Sequence, residues 1–169
     1  MNMKTTYRIA VTGLLAALLT VSKFAMDGLP NIELVSLLVI VYTLEFPKIV
    51  IPAVYTYAVL YGLLNGMGIW WVPQLYVWLV LIGLTWLMRQ NQSRLVWAVL
   101  SGLFGLSYGA LYAVFYGMVN GPAAGVAWWI TGIPFDLLHG GGNFLVAMLL
   151  LPSLRKGIQR AKVAVRFPV

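Results

Sequence analysis

Three polar side chains that could bind a ligand or move a proton lie close together in the last third of this chain. Asp136, His139 and Asn143 occupy positions i, i+3 and i+7, a spacing that places all three on one face of a helix. Ionisable residues in an apolar helix usually face a cavity or one another. We therefore favour a functional role, and simple hydrogen bonding between helices is the alternative.

The same residues are too few for a metal site or a recognisable catalytic centre. One His and no Cys in the whole chain fall short of the three protein ligands that a catalytic zinc ion takes. The sequence also lacks a phosphate-binding glycine-rich loop with its lysine, so the chain cannot hydrolyse ATP itself. We expect no metal, no cofactor and no enzymatic activity. A proton-coupled carrier or intramembrane enzyme that uses Asp136 and His139 is the alternative.

The composition indicates an integral membrane protein. Hydrophobic residues make up 62% of the 169 residues, charged residues only 9%, and the mean hydropathy is +0.90, whereas soluble domains carry roughly a quarter charged residues. The lipid bilayer is thus the expected surrounding. The net charge of +7 does not indicate nucleic acid, because the Lys and Arg residues are spread over helix ends and a basic tail from Arg155 to Val169, for which anionic lipid is the expected partner.

Six apolar segments predict an all-α bundle of six transmembrane helices in a single domain, residues 1–169. The predicted spans lie near residues 7–25, 32–46, 48–65, 72–88, 95–118 and 131–152. With the N-terminus in the cytoplasm, every Lys and Arg except Lys23 lies on the cytoplasmic side. Both termini are therefore predicted to be cytoplasmic, and residues 26–31, 65–73 and 120–125 are predicted to be outer connections.

Two helices carry stripes of small residues, which allow another helix to approach closely. In the predicted fifth helix the stripe comprises Gly102, Gly105, Gly109, Ala113 and Gly117, and we interpret it as packing within the chain. In the first helix the stripe comprises Ala10, Gly13, Ala16 and Ala17, where internal packing and docking of another subunit are both open. The run Gly140–Gly142 costs helix stability, so we expect a ligand or a backbone to approach it closely.

Aromatic residues gather toward the predicted outer side. They are Trp70, Trp71, Tyr76, Trp78, Tyr112, Tyr116, Trp128 and Trp129. Most are expected to form an interfacial belt, and the remainder to stack on a planar ligand. The outer loops carry the acids Asp27 and Glu33 but only one cation, Lys23, so a vitamin with carboxylate groups fits poorly.

Residues 7–154 resemble the substrate-binding S components of energy-coupling factor (ECF) vitamin transporters. The matching segments are residues 9–19 (IAVTGLLAALL), 28–38 (GLPNIELVSLL), and 121–125 (GPAAG) leading into 132–136 (GIPFD). The second and third segments are similar to the branch proposed to bind cobalamin. The His-rich N-terminus of the nickel and cobalt branch is missing, which argues against a metal substrate.

The resemblance implies a multi-pass protein of the prokaryotic cytoplasmic membrane that binds a vitamin at its outward end. A separate membrane scaffold subunit and two cytoplasmic ATPases would then drive import, with the first helix docking on the scaffold through Ala10, Gly13, Ala16 and Ala17. Cobalamin ranks first as the substrate and thiamine or another pyrimidine-like compound second, while riboflavin, pantothenate and folate are further alternatives. The predicted ligand-binding residues are Asp27, Asn31, Glu33, Trp70, Trp71, Tyr112, Tyr116, Trp128, Asp136, His139 and Asn143.

Overall fold

The structure is a computed structural model that describes residues 3–164, and those residues form six α-helices and no strands. The helices are α1 (Met3–Ala25), α2 (Val35–Glu45), α3 (Val50–Asn65), α4 (Gln74–Leu87), α5 (Arg94–Asn120) and α6 (Pro122–Ala164). One 3-10 helix, Ile69–Trp71, precedes α4. The prediction of an all-α chain is confirmed.

Four helical segments are long and apolar enough to cross a membrane. They are Thr5–Ala25, Ile69–Leu87, Arg94–Asn120 and Pro122–Ala164. The other two apolar helices are shorter, with 11 residues in α2 and 16 residues in α3. At 1.5 Å per residue, α2 is only about 16 Å long.

The short helix α2 lies at the centre of the molecule. Nine of its 11 residues are buried, and Val39, Ile40 and Val41 in its middle are 0% exposed. A helix that is apolar on all sides is buried in a protein core or faces lipid, and the contacts of α2 with every other helix place it in the core. In contrast, α1 leaves large apolar side chains such as Leu14 and Val21 more than half exposed.

Helices α5 and α6 form the most closely packed pair. They are separated by Gly121 alone, whose φ of +93° suits glycine and few other residues. A Cβ atom added to Gly105 would lie 2.8 Å from the carbonyl oxygen of His139 and 2.9 Å from Cα of Gly140. The interpretation of the fifth-helix stripe as packing within the chain is confirmed, as is the close approach of a backbone to the glycine run at Gly140.

Helix α6 extends beyond both ends of the predicted last span, 131–152, and includes most of the predicted outer connection at 120–125. Helix α6 begins at Pro122, because proline is well suited to the first position of a helix, where its missing N–H is not needed. It also continues past Pro152 to Ala164.

The extension of α6 is held to the end of α2 by Glu45. The Glu45 side chain is 6% exposed, and its Oε1 accepts hydrogen bonds from Arg155 Nε at 2.9 Å and from Gln159 Nε2 at 2.8 Å. Lys162 Nζ donates to the backbone oxygen of Glu45 at 2.7 Å. These contacts order the first part of the basic tail, whereas Arg166 lies outside the described residues.

The small residues of α1 do not all share one surface. Ala16 is 0% exposed and belongs to the core, so its prediction as part of an exposed docking face is wrong. Successive residues of a helix are rotated by about 100°, which turns Ala16 inward while Ala17 stays outside. Ala10, Gly13 and Ala17 are exposed, and a Cβ atom added to Gly13 would meet no atom within 4 Å.

Candidate ligand-binding site

A cavity of about 560 Å³ lies at the end of the bundle where α1 ends and α2 begins. Its lining comes from the end of α1, the segment 26–34, the beginning of α2, the middle of α3, the beginning of α4, residues 108–112 of α5 and residues 128–139 of α6. The polar and aromatic residues that line it are Lys23, Asp27, Asn31, Glu33, Tyr57, Gln74, Trp78, Tyr108, Tyr112, Trp128, Thr131, Phe135, Asp136 and His139.

Helix α6 presents Asp136 and His139 to this cavity. Both are buried, at 7% and 8% exposure, and Asn143 one turn further along is 1% exposed. The three therefore share the inward face, as their spacing predicted. Asp136 Oδ1 accepts a hydrogen bond from the backbone N–H of Gly109 on α5 at 3.0 Å. The rings of Tyr108 and His139 pack edge to face, with their centroids 4.9 Å apart.

The segment 26–34 covers part of the cavity and is fixed through Glu33. Both carboxylate oxygens of Glu33 accept from the backbone N–H of Ser36, at 3.1 and 2.9 Å, and Oε1 lies 3.4 Å from Nε2 of His139. Asn31 has a φ of +58°, a left-handed conformation that asparagine adopts more readily than most residues.

Burial alone would raise the pKa of Glu33, because it penalises the charged carboxylate. The hydrogen bond and the charge of His139, together with the Ser36 N–H, outweigh burial and hold the pKa below its ordinary value. Glu33 lies before the first residue of α2. Its contacts with Ser36 and His139 therefore hold the end of the segment 26–34 in place.

A hydrogen-bonded group of four side chains from α4 and α5 forms another part of the lining. Gln74 Nε2 donates to the hydroxyl of Tyr112 at 2.6 Å and to that of Tyr108 at 3.1 Å. Gln74 Oε1 accepts from Trp78 Nε1 at 2.6 Å. Because each polar atom has a partner within the group, the two tyrosine rings and the indole are held in fixed positions around the cavity.

Four predicted ligand-binding residues lie away from the cavity lining. Trp71 donates from Nε1 to the Ala58 carbonyl at 2.7 Å, and Trp70 packs against the ring of Tyr61, so both tie the α3–α4 connection to α3. Tyr116 stacks behind Trp128 with ring centroids 4.5 Å apart. Asn143 lies deeper in the core than His139. The other seven line the cavity: Asp27, Asn31, Glu33, Tyr112, Trp128, Asp136 and His139.

Several lining residues were missing from the predicted site. Tyr57 is 1% exposed in the middle of α3, and nothing in the local sequence distinguishes it from the neighbouring tyrosines. Gln74 had a usable signal, because it is an uncharged polar residue at the start of an apolar helix and requires partners in a membrane. Tyr108 lies one turn before Tyr112, so their shared face also indicated a common site.

The charges around the cavity are mostly paired within the chain. Lys23 Nζ lies 3.4 Å from Asp27 Oδ1, and Glu33 is held by His139 and Ser36 as described above. Residues 3–164 contain no group of three His, Asp or Glu side chains that could hold a metal ion. The arrangement is suited to surround a small ligand with aromatic rings and to offer it carboxylate oxygens.

Comparisons of the chain with protein-family models, with curated proteins and with solved structures found no match.

Proposed function

We propose that this chain is the substrate-binding S component of an ECF-type vitamin importer in a prokaryotic cytoplasmic membrane. The observation that carries the proposal is the combination of a ligand-sized cavity at one end of an apolar bundle with an uncovered stripe of small residues on α1. Such a protein captures a compound and relies on a separate scaffold subunit and two ATPases for energy.

The distribution of charges supports six spans with both termini in the cytoplasm. At the end of the bundle away from the cavity, Arg8 Nη2 lies 3.5 Å from the carbonyl oxygen of Lys48, and Arg155 and Lys162 meet Glu45. Cations concentrate on the cytoplasmic side of membrane proteins. The cavity then opens to the outside, where a vitamin is captured.

The surface of α1 supports docking on a scaffold. Ala10, Gly13 and Ala17 form a shallow exposed track, and Leu14 and Leu18 beside it are 60% and 47% exposed. Helices in lipid associate through van der Waals contact, for which small residues permit close approach. A second apolar helix can therefore lie directly along α1.

The substrate is proposed to be a water-soluble vitamin. Cavities of about 300–1,000 Å³ enclose most of a drug-sized ligand, and this one has about 560 Å³. One molecule of a small heterocyclic vitamin such as thiamine fits in this volume. A corrinoid is much larger and would extend out of the cavity. The cavity thus favours thiamine or another pyrimidine-like compound over cobalamin, the reverse of the order that the resemblance implies.

Reconstitution tests the proposal directly. The chain is expressed alone or together with an ECF scaffold and its two ATPases, purified, and placed in liposomes with radiolabelled vitamins outside. We expect the chain alone to bind one vitamin without accumulating it, and the four-subunit complex to accumulate it with ATP. Accumulation by the isolated chain that collapses with the proton gradient would instead establish a proton-coupled carrier.

A further inference from the structure

We propose that Asp136 is the recognition group for the cargo, and that the cargo is a compact organic cation built of planar nitrogen heterocycles and carrying an N–H donor. This inference rests on the proposed function, because it takes the cavity as the cargo site. It goes further in naming the chemistry that the cavity selects.

The carboxylate of Asp136 is only half satisfied by the protein. Its Oδ1 accepts from the backbone N–H of Gly109 at 3.0 Å, while the buried Oδ2 has no hydrogen-bond partner among residues 3–164. Asp136 is 7% exposed and lines the cavity. A buried carboxylate oxygen without a donor is costly, so a ligand that supplies an N–H gains from completing it.

The glycine opposite Asp136 makes this position possible. A Cβ atom added to Gly109 would collide with the Asp136 carboxylate, so any other residue there would displace the acid. Helices α5 and α6 therefore approach closely enough for the Gly109 N–H to orient the carboxylate. An oriented acceptor at a fixed position is what selective recognition of a donor requires.

The neighbouring charges indicate that the ligand is positive. Asp27 is balanced by Lys23, 3.4 Å away, and Glu33 by the Ser36 N–H and His139. Asp136 has no cation of the described chain within salt-bridge distance. A charged group inside a membrane protein is usually paired, and a cationic ligand provides the missing partner.

The aromatic lining indicates that the cation is planar. Trp78, Tyr108 and Tyr112 are held by Gln74, and Trp128 is backed by Tyr116. Fixed aromatic faces stack on flat rings and attract positive charge. Among the lining residues, aliphatic contact is concentrated in the segment 26–34, which would cover such a ligand.

The test uses thiamine as the probe, and 4′-deaminothiamine, in which a hydrogen atom replaces the exocyclic amino group and no N–H donor remains, as its matched partner. Binding to the full-length protein in detergent is measured by isothermal titration calorimetry for wild type, Asp136→Asn and Glu45→Gln, the last a carboxylate-to-amide change at a residue outside the cavity lining. We expect thiamine to bind wild type at least about tenfold more tightly than 4′-deaminothiamine, as for a hydrogen bond to a charged group. Asp136→Asn should weaken thiamine binding by a similar factor, and Glu45→Gln should leave it unchanged.

Equal binding of thiamine and 4′-deaminothiamine, or an unchanged thiamine affinity in Asp136→Asn, would overturn the inference. Because the two probes are compared on wild type, the test stands even if Asp136→Asn fails to fold. Tight binding of a neutral or anionic vitamin with no binding of thiamine would also overturn it, while leaving the importer proposal intact. If the chain binds thiamine through Asp136 but never associates with a scaffold, the importer proposal is overturned and the inference about Asp136 stands.

Discussion

Glu33 and His139 meet at the cavity although 106 residues separate them in the chain, with Oε1 and Nε2 3.4 Å apart. This contact joins the segment that covers the cavity to the helix that carries Asp136. The segment 26–34 and α6 are therefore linked through one buried contact between a carboxylate and an imidazole.

Replacing Glu33 by Gln should remove this link and change the pH dependence of stability. The pKa of Glu33 is held below its ordinary value in the folded protein. Its charge therefore stabilises the fold above the pH at which an unfolded glutamate titrates, and the contribution is lost as the pH falls through the lowered folded pKa. At neutral pH we expect Glu33→Gln to cost about 1.5–3 kcal/mol.

Thermal unfolding in detergent over a series of acidic pH values measures this effect. The wild-type Tm should fall toward that of Glu33→Gln as the pH decreases, so that the two curves converge. Asp27→Asn is the control, because its side chain is 49% exposed and its pairing with Lys23 contributes little. Curves that stay parallel down to the most acidic pH would contradict the assignment.

Replacing Gly105 by Ala should destabilise the α5–α6 pair. The new Cβ would lie 2.8 Å from a backbone oxygen of α6, and backbone cannot move aside as a side chain can. Overpacking of this kind costs about 1–3 kcal/mol, which thermal unfolding in detergent should register as a lower Tm. Gly141→Ala is the matched control, because no atom lies within 4 Å of its added Cβ; equal effects of the two substitutions would refute the packing account.

Replacing Glu45 by Ala should release the last turns of α6. Arg155 and Gln159 would lose their shared acceptor, and each lost hydrogen bond to a charged group costs about 1.5–3 kcal/mol, less the solvent screening of the half-buried Arg155. Hydrogen exchange followed by mass spectrometry should show faster exchange in residues 153–164 and unchanged exchange in α5. Lys156→Ala, an exposed site in the same segment, should leave both unchanged.

Replacing Gly13 or Ala17 by Leu should abolish uptake and leave binding unchanged. The added side chain would project from the exposed track on α1 and hold a docking helix away, whereas neither Gly13 nor Ala17 lines the cavity. Uptake into cells and calorimetric vitamin binding measure the two effects separately. Gly83→Leu is the control, since Gly83 on α4 is equally open; a loss of uptake there as well would show that any bulky exposed substitution is harmful.

The sequence predicted the helical class and the shared face of Asp136, His139 and Asn143, because periodicity is a local property. It did not predict that Trp71 would bond to α3 or that Tyr57 would reach the cavity. Those contacts depend on how helices pack, which spacing along one helix does not encode. The burial of Ala16 could not be predicted for the same reason, because it depends on where the neighbouring helices pack against α1.

The connection between α5 and α6 was missed for a different reason. Gly and Pro at residues 121–122 indicated a loop, yet the chain reverses at Gly121 and Pro122 already begins the next helix. A proline can end the helix that precedes it or begin the helix that follows it. Here residues 123–130 continue as a helix from Pro122.

The turn at Gly121 also determines how the cavity can exchange its contents. Two long helices joined through one residue, and in backbone contact at Gly105 and Gly140, cannot separate without breaking their whole interface. The segment between α1 and α2 is tied to α6 by the contact of Glu33 with His139, and to α1 by the Lys23–Asp27 pair. On the proposed function, we therefore expect loading and release to proceed past that segment, after the contact between Glu33 and His139 has been broken.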